Sequence, residues 1–313
     1  MKLSNKLLIG LLGIAVLLII VQIYLSKDVA IDLERLYDPS YEELKAAKTF
    51  EVFEFSDITT LNLNSQEAII RKGDRFEVFY QPIIHNKPKI KDGALFVNGR
   101  EISREKVYIY IPDLKSLNLT NYNTYRPVTL DDFNGQDIHI SVENGERTEL
   151  VTNMSRFNLS GKHARILFYN YQPMDSLWVS LTNSTFRIQD LQHPINNLDI
   201  NLERSDFSLE LQEDTLLKNV KIKGSIAKYT KYRGMFYYEP TSGIYLYSDT
   251  LVCDTFDIDI ALLLSTDSGY ELNLPSNIKS QHYSVKTSDN IEITNSWQRV
   301  TSIKASENAL VIH

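Results

Sequence analysis

Three Ser-x-x-Lys pairs, Ser103/Lys106, Ser225/Lys228 and Ser276/Lys279, have the spacing of a nucleophilic hydroxyl and its base. That chemistry needs both groups on one face of a helix, one turn apart. All three pairs fall in strand-like sequence, so the spacing reads as coincidence and no catalytic residue is assigned. Asp254, Asp257 and Asp259 lie in the segment DTFDIDI, the last two on one strand face. Paired carboxylates on an outer strand face would suit a lyase or glycosidase, or a Ca²⁺ site. The same pattern also fits Phe256, Ile258 and Ile260 facing a core, with the acids simply solvated. The loop from Asp131 to Asp137 has part of a calcium-loop alternation but no closing glutamate, and its Asn134-Gly135 suits a tight turn. The histidines are scattered without ligand spacing and Cys253 is the single cysteine, so neither a metal site, a cofactor nor an internal disulfide is expected.

The richest cluster is aromatic. Tyr229, Tyr232, Tyr237, Tyr238, Tyr245 and Tyr247 crowd together with Phe236, and Lys228, Lys231 and Arg233 are interleaved. Tyrosine rings on an exposed sheet can stack on sugar rings while hydroxyls and cations take the polar groups. Tyr232, Arg233, Tyr237, Tyr238, Tyr245 and Tyr247 are therefore the candidate binding residues. The alternative is that these rings fill a core or cap, with strand alternation exposing half of them.

Such residues need a scaffold. The chain has 313 residues, 43% hydrophobic and 23% charged, which describes a folded protein. Asp and Glu outnumber Lys and Arg 40 to 33, for a net charge of −7. This balance disfavours nucleic acid, whose binders need a basic face. Leu7 to Leu25 carries no charge, and a helix of that length spans roughly 28 Å, close to a bilayer core. Lys2 and Lys6 precede it, while Tyr24 and Lys27 sit at its far edge. The exit Gln22-Ile23-Tyr24-Leu25-Ser26 is a poor cleavage site, which favours an uncleaved signal anchor over a cleaved signal. The expectation is a single-pass inner-membrane protein, held in the membrane through residues 7–25, with its C-terminal domain in the periplasm. Residues 1–26 would be the anchor and 27–49 a charged juxtamembrane spacer, with a helix start at Asp38-Pro39-Ser40.

From Phe50 onward the pattern is that of strands. EVFEFSDITTLNLN, AIIRKGDRFEVFYQ and ALFVNGR alternate apolar and polar residues, with Lys72-Gly73-Asp74 and Asn98-Gly99 as turns. Short apolar pairs then recur at Leu117/Leu119, Ile138/Ile140, Phe157/Leu159, Leu177/Val179, Leu198/Ile200 and Val220/Ile222, in steps of 21, 19, 20, 21 and 22 residues. Leu150, Phe168, Phe186, Phe207 and Tyr229 form a second series. A repeat near 20 residues with at least two strands predicts stacked coils of parallel strands, each burying its inward face on its neighbours. An antiparallel sandwich with evenly spaced hairpins is the other architecture this spacing allows. Asn144, Asn153, Asn183 and Asn201 stand where left-handed corner residues are expected, because glycine is scarce. Clear coils are expected over 113–232, and irregular coils or a cap over 233–313.

The order of segments resembles the auto-transporter adhesin family with a head GIN domain. The residues that carry the resemblance are Phe55-Ser56-Asp57-Ile58, the strand–Gly turn–strand AIIRKGDRFEVFY, Asp92-Gly93-Ala94-Leu95, and VYIYIPDLKSLNLT with Pro112, Leu114, Leu117 and Leu119. The Ser160-Gly161 and Gly224-Ser225 corners also fit. The resemblance covers roughly residues 50–232 and implies a right-handed β-helix in the cell envelope, with no established reaction.

The sequence therefore predicts an all-β protein, a right-handed parallel β-helix (solenoid) ectodomain over 50–313, behind one N-terminal transmembrane helix. Its expected role is non-enzymatic: adhesin-like recognition of a glycan or an envelope protein, or a scaffold. The alternative is a polysaccharide-active enzyme, which would need carboxylates such as Asp257 and Asp259 to converge in a cleft.

Overall fold

The computed structural model describes residues 38–99, 106–122, 127–211, 216–226, 243–248, 250–262, 271–275, 277–287, 303–306 and 309–312. The chain divides into two compact units, residues 1–50 and 51–313. In the first, helix α1 (Tyr41–Ala46) starts at Ser40. The Glu43 N–H donates to Ser40 Oγ at 3.3 Å and the Ser40 N–H donates to Glu43 Oε2 at 2.8 Å. This reciprocal pair satisfies two otherwise unpaired amides and fixes where the helix begins.

The second unit is two large sheets over one hydrophobic core. The first sheet has eleven strands. Its irregular end runs β1 (Glu51–Glu54), β4 (Glu77–Tyr80), β7 (Val107–Ile111), β3 (Ala68–Lys72). It continues through β9 (Pro127–Asp131), β11 (Thr148–Thr152), β13 (Arg165–Asn170), β15 (Thr185–Leu191), β17 (Asp206–Leu211), β19 (Gly243–Tyr247) and β21 (Glu271–Asn273). The second sheet has thirteen strands. In spatial order it begins β5 (Lys89–Lys91), β6 (Ala94–Asn98), β2 (Thr60–Asn64), β8 (Ser116–Thr120), β10 (His139–Glu143). There follow β12 (Arg156–Lys162), β14 (Ser176–Thr182), β16 (Ile195–Glu203), β18 (Leu217–Ile226), β20 (Thr250–Leu262) and β22 (Asn277–Thr287). The hairpin strands β24 (Ala309–Ile312) and β23 (Ile303–Ser306) end it.

From β8 to β22 successive strands go alternately to the two sheets, and every neighbour within a sheet is parallel. Alternation decides which residues meet in the core. In β14, Leu177, Val179 and Leu181 are buried while Trp178 and Ser180 are exposed. Phe157, Phe168, Phe186 and Phe207 form a continuous aromatic stack between the sheets, with successive ring centroids 4.8, 5.8 and 6.1 Å apart. Burial of each such side chain stabilises the fold by about 2–3 kcal/mol.

One corner between the sheets is a column of left-handed residues. Ser65, Asn121, Asn144, His163, Asn183 and Arg204 have φ between 48° and 57°. Each donor reaches the next level: Asn121 N–H to Glu143 O at 3.1 Å, Asn144 to Lys162 O at 3.0 Å, His163 to Thr182 O at 3.0 Å, Asn183 to Glu203 O at 2.9 Å. Buried serines continue the ladder just inside it. Ser184 Oγ accepts from the Ala164 N–H, and Ser205 Oγ accepts from the Ser184 N–H, each at 3.0 Å.

The β-helix expectation is corrected. The described residues form two large, mostly parallel sheets, and no closed solenoid is shown. Antiparallel pairings of β1 with β4, β4 with β7, β5 with β6 and β24 with β22 and β23 make the sheets mixed. Before β8 the order is not sequential, because β2 pairs across to β8 and β3 to β9. The physical reason is that a 20-residue period with two short strands per unit needs only two facing layers to bury both apolar faces. The expected transmembrane helix, residues 7–25, falls outside the part of the chain that the structure describes, and no helix among the described residues is long and apolar enough to cross a membrane.

Registers differ from the expected series in two places. Leu117 pairs with Ile140, not Ile138. Phe168 pairs with Ile188, and Phe207 with Ile244, while Tyr229 lies outside the described residues. Of the expected corner asparagines, Asn144 and Asn183 are left-handed, whereas Asn201 lies mid-strand in β16 and Asn153 has no positive φ.

Candidate binding face and groove

The outward face of the second sheet is a polar plane assembled from the register. One row crosses it as Ser116, His139, Asn158, Trp178, Asp199, Lys221, Asp257 and Ser284. The row beside it runs Asn118, Ser141, Ser160, Ser180, Asn201, Lys223, Asp259 and Lys286. Neighbouring strands stand about 4.8 Å apart, so these side chains form a regular grid. Trp178 is 42% exposed in the middle of it. Asn158 and Asp199 flank its indole on the adjacent strands, and Ser180 follows it on its own strand. Ser160 and Ser180, in the neighbouring row, are small. Ser160 Oγ lies 3.3 Å from His139 Nε2.

A break in alternation makes the second feature. Three positions, not two, separate buried Ile195 from Leu198, Leu217 from Val220, and Cys253 from Phe256. Two consecutive residues therefore turn outward at Asn196-Asn197, Lys218-Asn219, Asp254-Thr255 and Gln281-His282. Amides bridge the levels: Asn219 Nδ2 donates to Asn197 Oδ1 at 3.1 Å, and Asn197 Nδ2 donates to Asp175 O at 2.9 Å. Along this break, β16, β18, β20 and β22 enclose an open groove of about 530 Å³. Asn196, Lys218, Asp254, Lys279 and Gln281 supply most of its polar lining, and Pro194, Leu217 and Val252 most of its apolar lining. Lys218 Nζ lies 3.9 Å from Asp254 Oδ2. Ser280 and Cys253, register partners, complete the lining. Burial, with Asp254 a lesser cause, pushes the Cys253 thiol up to about 11, so it stays protonated and unreactive at neutral pH.

Of the expected binding residues, Tyr232, Arg233, Tyr237 and Tyr238 lie outside the described residues. Tyr245 and Tyr247 belong to β19 of the first sheet. Tyr245 is half-buried beside Ser208 and Asn273 on that sheet's outer face, so it does not join Trp178. Asp257 and Asp259 do face outward from β20, but on the open plane. Asp257 pairs in register with Lys221, and Asp259 with Lys223 and Lys286. Neither enters the groove, whose one carboxylate is Asp254. Asp131, in the calcium-like loop, lies 3.8 Å from Arg71 Nε and accepts from Asn153 Nδ2 at 2.8 Å. Among the described residues no group of three or more His, Cys, Asp or Glu could hold a metal ion.

Trp178, Lys218 and Ser280 are not among the residues singled out from the sequence, and Lys279 entered there only through its Ser-x-x-Lys spacing. Trp178 was detectable there, since it lies between Leu177 and Val179, which the repeat assigns to the core. The groove residues were not, because a three-position step inside a strand looks like noise until neighbouring strands are aligned.

No family model matches the chain, so the resemblance to a head GIN domain is not confirmed. No curated protein matches it either. Solved structures give weak likenesses. A putative lipid binding protein from Parabacteroides distasonis has a TM-score of 0.42 at 14% identity, over 75% of this chain and 94% of that one. A putative adhesin from Parabacteroides merdae has a TM-score of 0.40 at 10% identity, over 69% and 95%. A putative adhesin from Bacteroides fragilis has a TM-score of 0.41 at 8% identity, over 75% and 98%. Likeness at this level carries no ligand or activity across.

Proposed function

We propose that this chain is a non-enzymatic recognition protein of the cell envelope that binds glycan on the outer face of its second sheet. The observation that carries the reading is Trp178, an indole 42% exposed on a rigid polar plane. The exposed face of such a ring matches the C–H face of a pyranose. Asn158, Asp199 and Ser180 stand within reach to pair with hydroxyls around a stacked ring. Strands fixed on both sides hold these groups in place before binding, which lowers the ordering cost. The apolar run 7–25 supports a place at the inner membrane with the β domain in the periplasm.

The test is binding of the full-length protein to a glycan array, wild type against Trp178→Ala. Expected is saccharide binding that the substitution reduces about tenfold or more, with unfolding unchanged because the side chain is exposed. Binding unaffected by Trp178→Ala would overturn the assignment of this face. Recovery of the protein in the soluble periplasmic fraction would overturn its place at the membrane.

A further inference from the structure

We infer that the groove across β16, β18, β20 and β22 takes the carboxylate of an acidic sugar unit, so that the glycan recognised is a polyuronate-type chain. The inference rests on the glycan reading above and deepens it. The groove opens on the outer side of the same sheet as Trp178, one to four strand spacings across, or roughly 5–19 Å, and three or more residues, about 10 Å, along the strands. An extended saccharide stacked on the indole can therefore reach it.

The chemistry of the lining selects the charge. Lys218 and Lys279 bring two cations against the single carboxylate of Asp254, in a chain whose net charge is −7. Lys218 and Asp254 are 60% and 48% exposed and only loosely paired at 3.9 Å, so a ligand can compete for that lysine. Lys279 is exposed and makes no ion pair among the described residues. Two lysine ammonium groups suit a carboxylate, with charge-assisted bonds stronger than those to neutral sugars. The amide of Gln281 and the carboxylate of Asp254 remain for ring hydroxyls, and Val252, 40% exposed, offers an apolar contact for the ring.

The experiment is calorimetric titration of the full-length protein with oligomers of galacturonate, mannuronate and hyaluronate, and with the same oligomers after reduction of their carboxyls to alcohols. Wild type is compared with Trp178→Ala and with the double variant Lys218→Ala/Lys279→Ala, all exposed positions whose folding is checked by thermal unfolding. Expected is at least one acidic oligomer bound about tenfold or more tighter than its reduced form, a preference lost in the double-lysine variant and weakened by salt. Equal binding of acidic and reduced forms, or a preference that survives the double variant, overturns the groove assignment and leaves the Trp178 reading standing. Binding that depends on the lysines but not on Trp178 overturns that reading instead. Binding of neither form by wild type overturns both.

Discussion

Tyr80 is where a single residue ties pH to folding. It is buried in β4 and its hydroxyl donates to Glu51 Oε2 on the edge strand β1 at 2.7 Å. Burial first, then the bond to Glu51 and its charge, raises the phenol to about 12 from an ordinary 10.0. A group whose folded pKa lies above its unfolded value contributes stability that is complete below pH 10 and is lost as pH rises through 12. Burial raises Cys253 to about 11 and raises Tyr169 and Tyr283, which all act in the same direction. The thermal midpoint is expected to fall between pH 10 and 12, and Tyr80→Phe to flatten that fall. A midpoint independent of pH over this range would contradict the assignment. In the core, Phe186 is fully buried between Phe168 and Phe207. Phe186→Ala is expected to cost about 3–5 kcal/mol in urea unfolding, because rigid strands on both sides prevent collapse of the cavity.

At the level of elements, the left-handed corner sets the stability of each level. Asn183 tolerates φ 48° through its short polar side chain, whereas Arg204 at φ 51° has no such compensation. Relief of about 1–2 kcal/mol of strain against about 0.5–1 kcal/mol of glycine entropy gives a net gain between zero and about 1.5 kcal/mol for Arg204→Gly. Denaturant midpoints check this, and a loss would show that the arginine side chain is needed. Gly224 shows the opposite constraint: at φ +120° an added Cβ would sit 1.9 Å from Leu202 O. These elements differ in how far they can be read from sequence. The alternation that buries Leu177, Val179, Leu198 and Ile200 is plain, because each strand has one core face and one wet face. Asn144 and Asn183 could be assigned to corners from their chemistry, but nothing marked His163 and Arg204 as left-handed. Strands β4 and β7 are buried on both faces and read as continuous apolar runs, and their non-sequential pairing follows from long-range packing that no local pattern encodes. The same limit hid the groove, which exists only where four strands are bent alike.

On the scale of the whole second unit, the sheet ends decide whether copies associate. β5 ends the second sheet with Lys89 and Lys91 around Ile90, which is 49% exposed. Charges on an edge strand oppose pairing with another chain. The double variant Lys89→Ile/Lys91→Val is expected to self-associate at concentrations where wild type does not, measured by light scattering. Equal scattering would mean that this edge is guarded by something other than its lysines. The left-handed column has a consequence for size. His163 and Asn183 occupy equivalent corners, and Lys162 is the register partner of Thr182. Excising residues 163–182 would join Lys162 to a corner residue already suited to follow it. Phe157 would then face Leu198 and Leu150 would face Ile188, apolar against apolar, with every other storey untouched. Because β13 and β14 leave together, neither sheet is left with a gap. Height is thus a quantity this architecture can change one storey at a time, and the reach of its outer face along a bound chain changes with it.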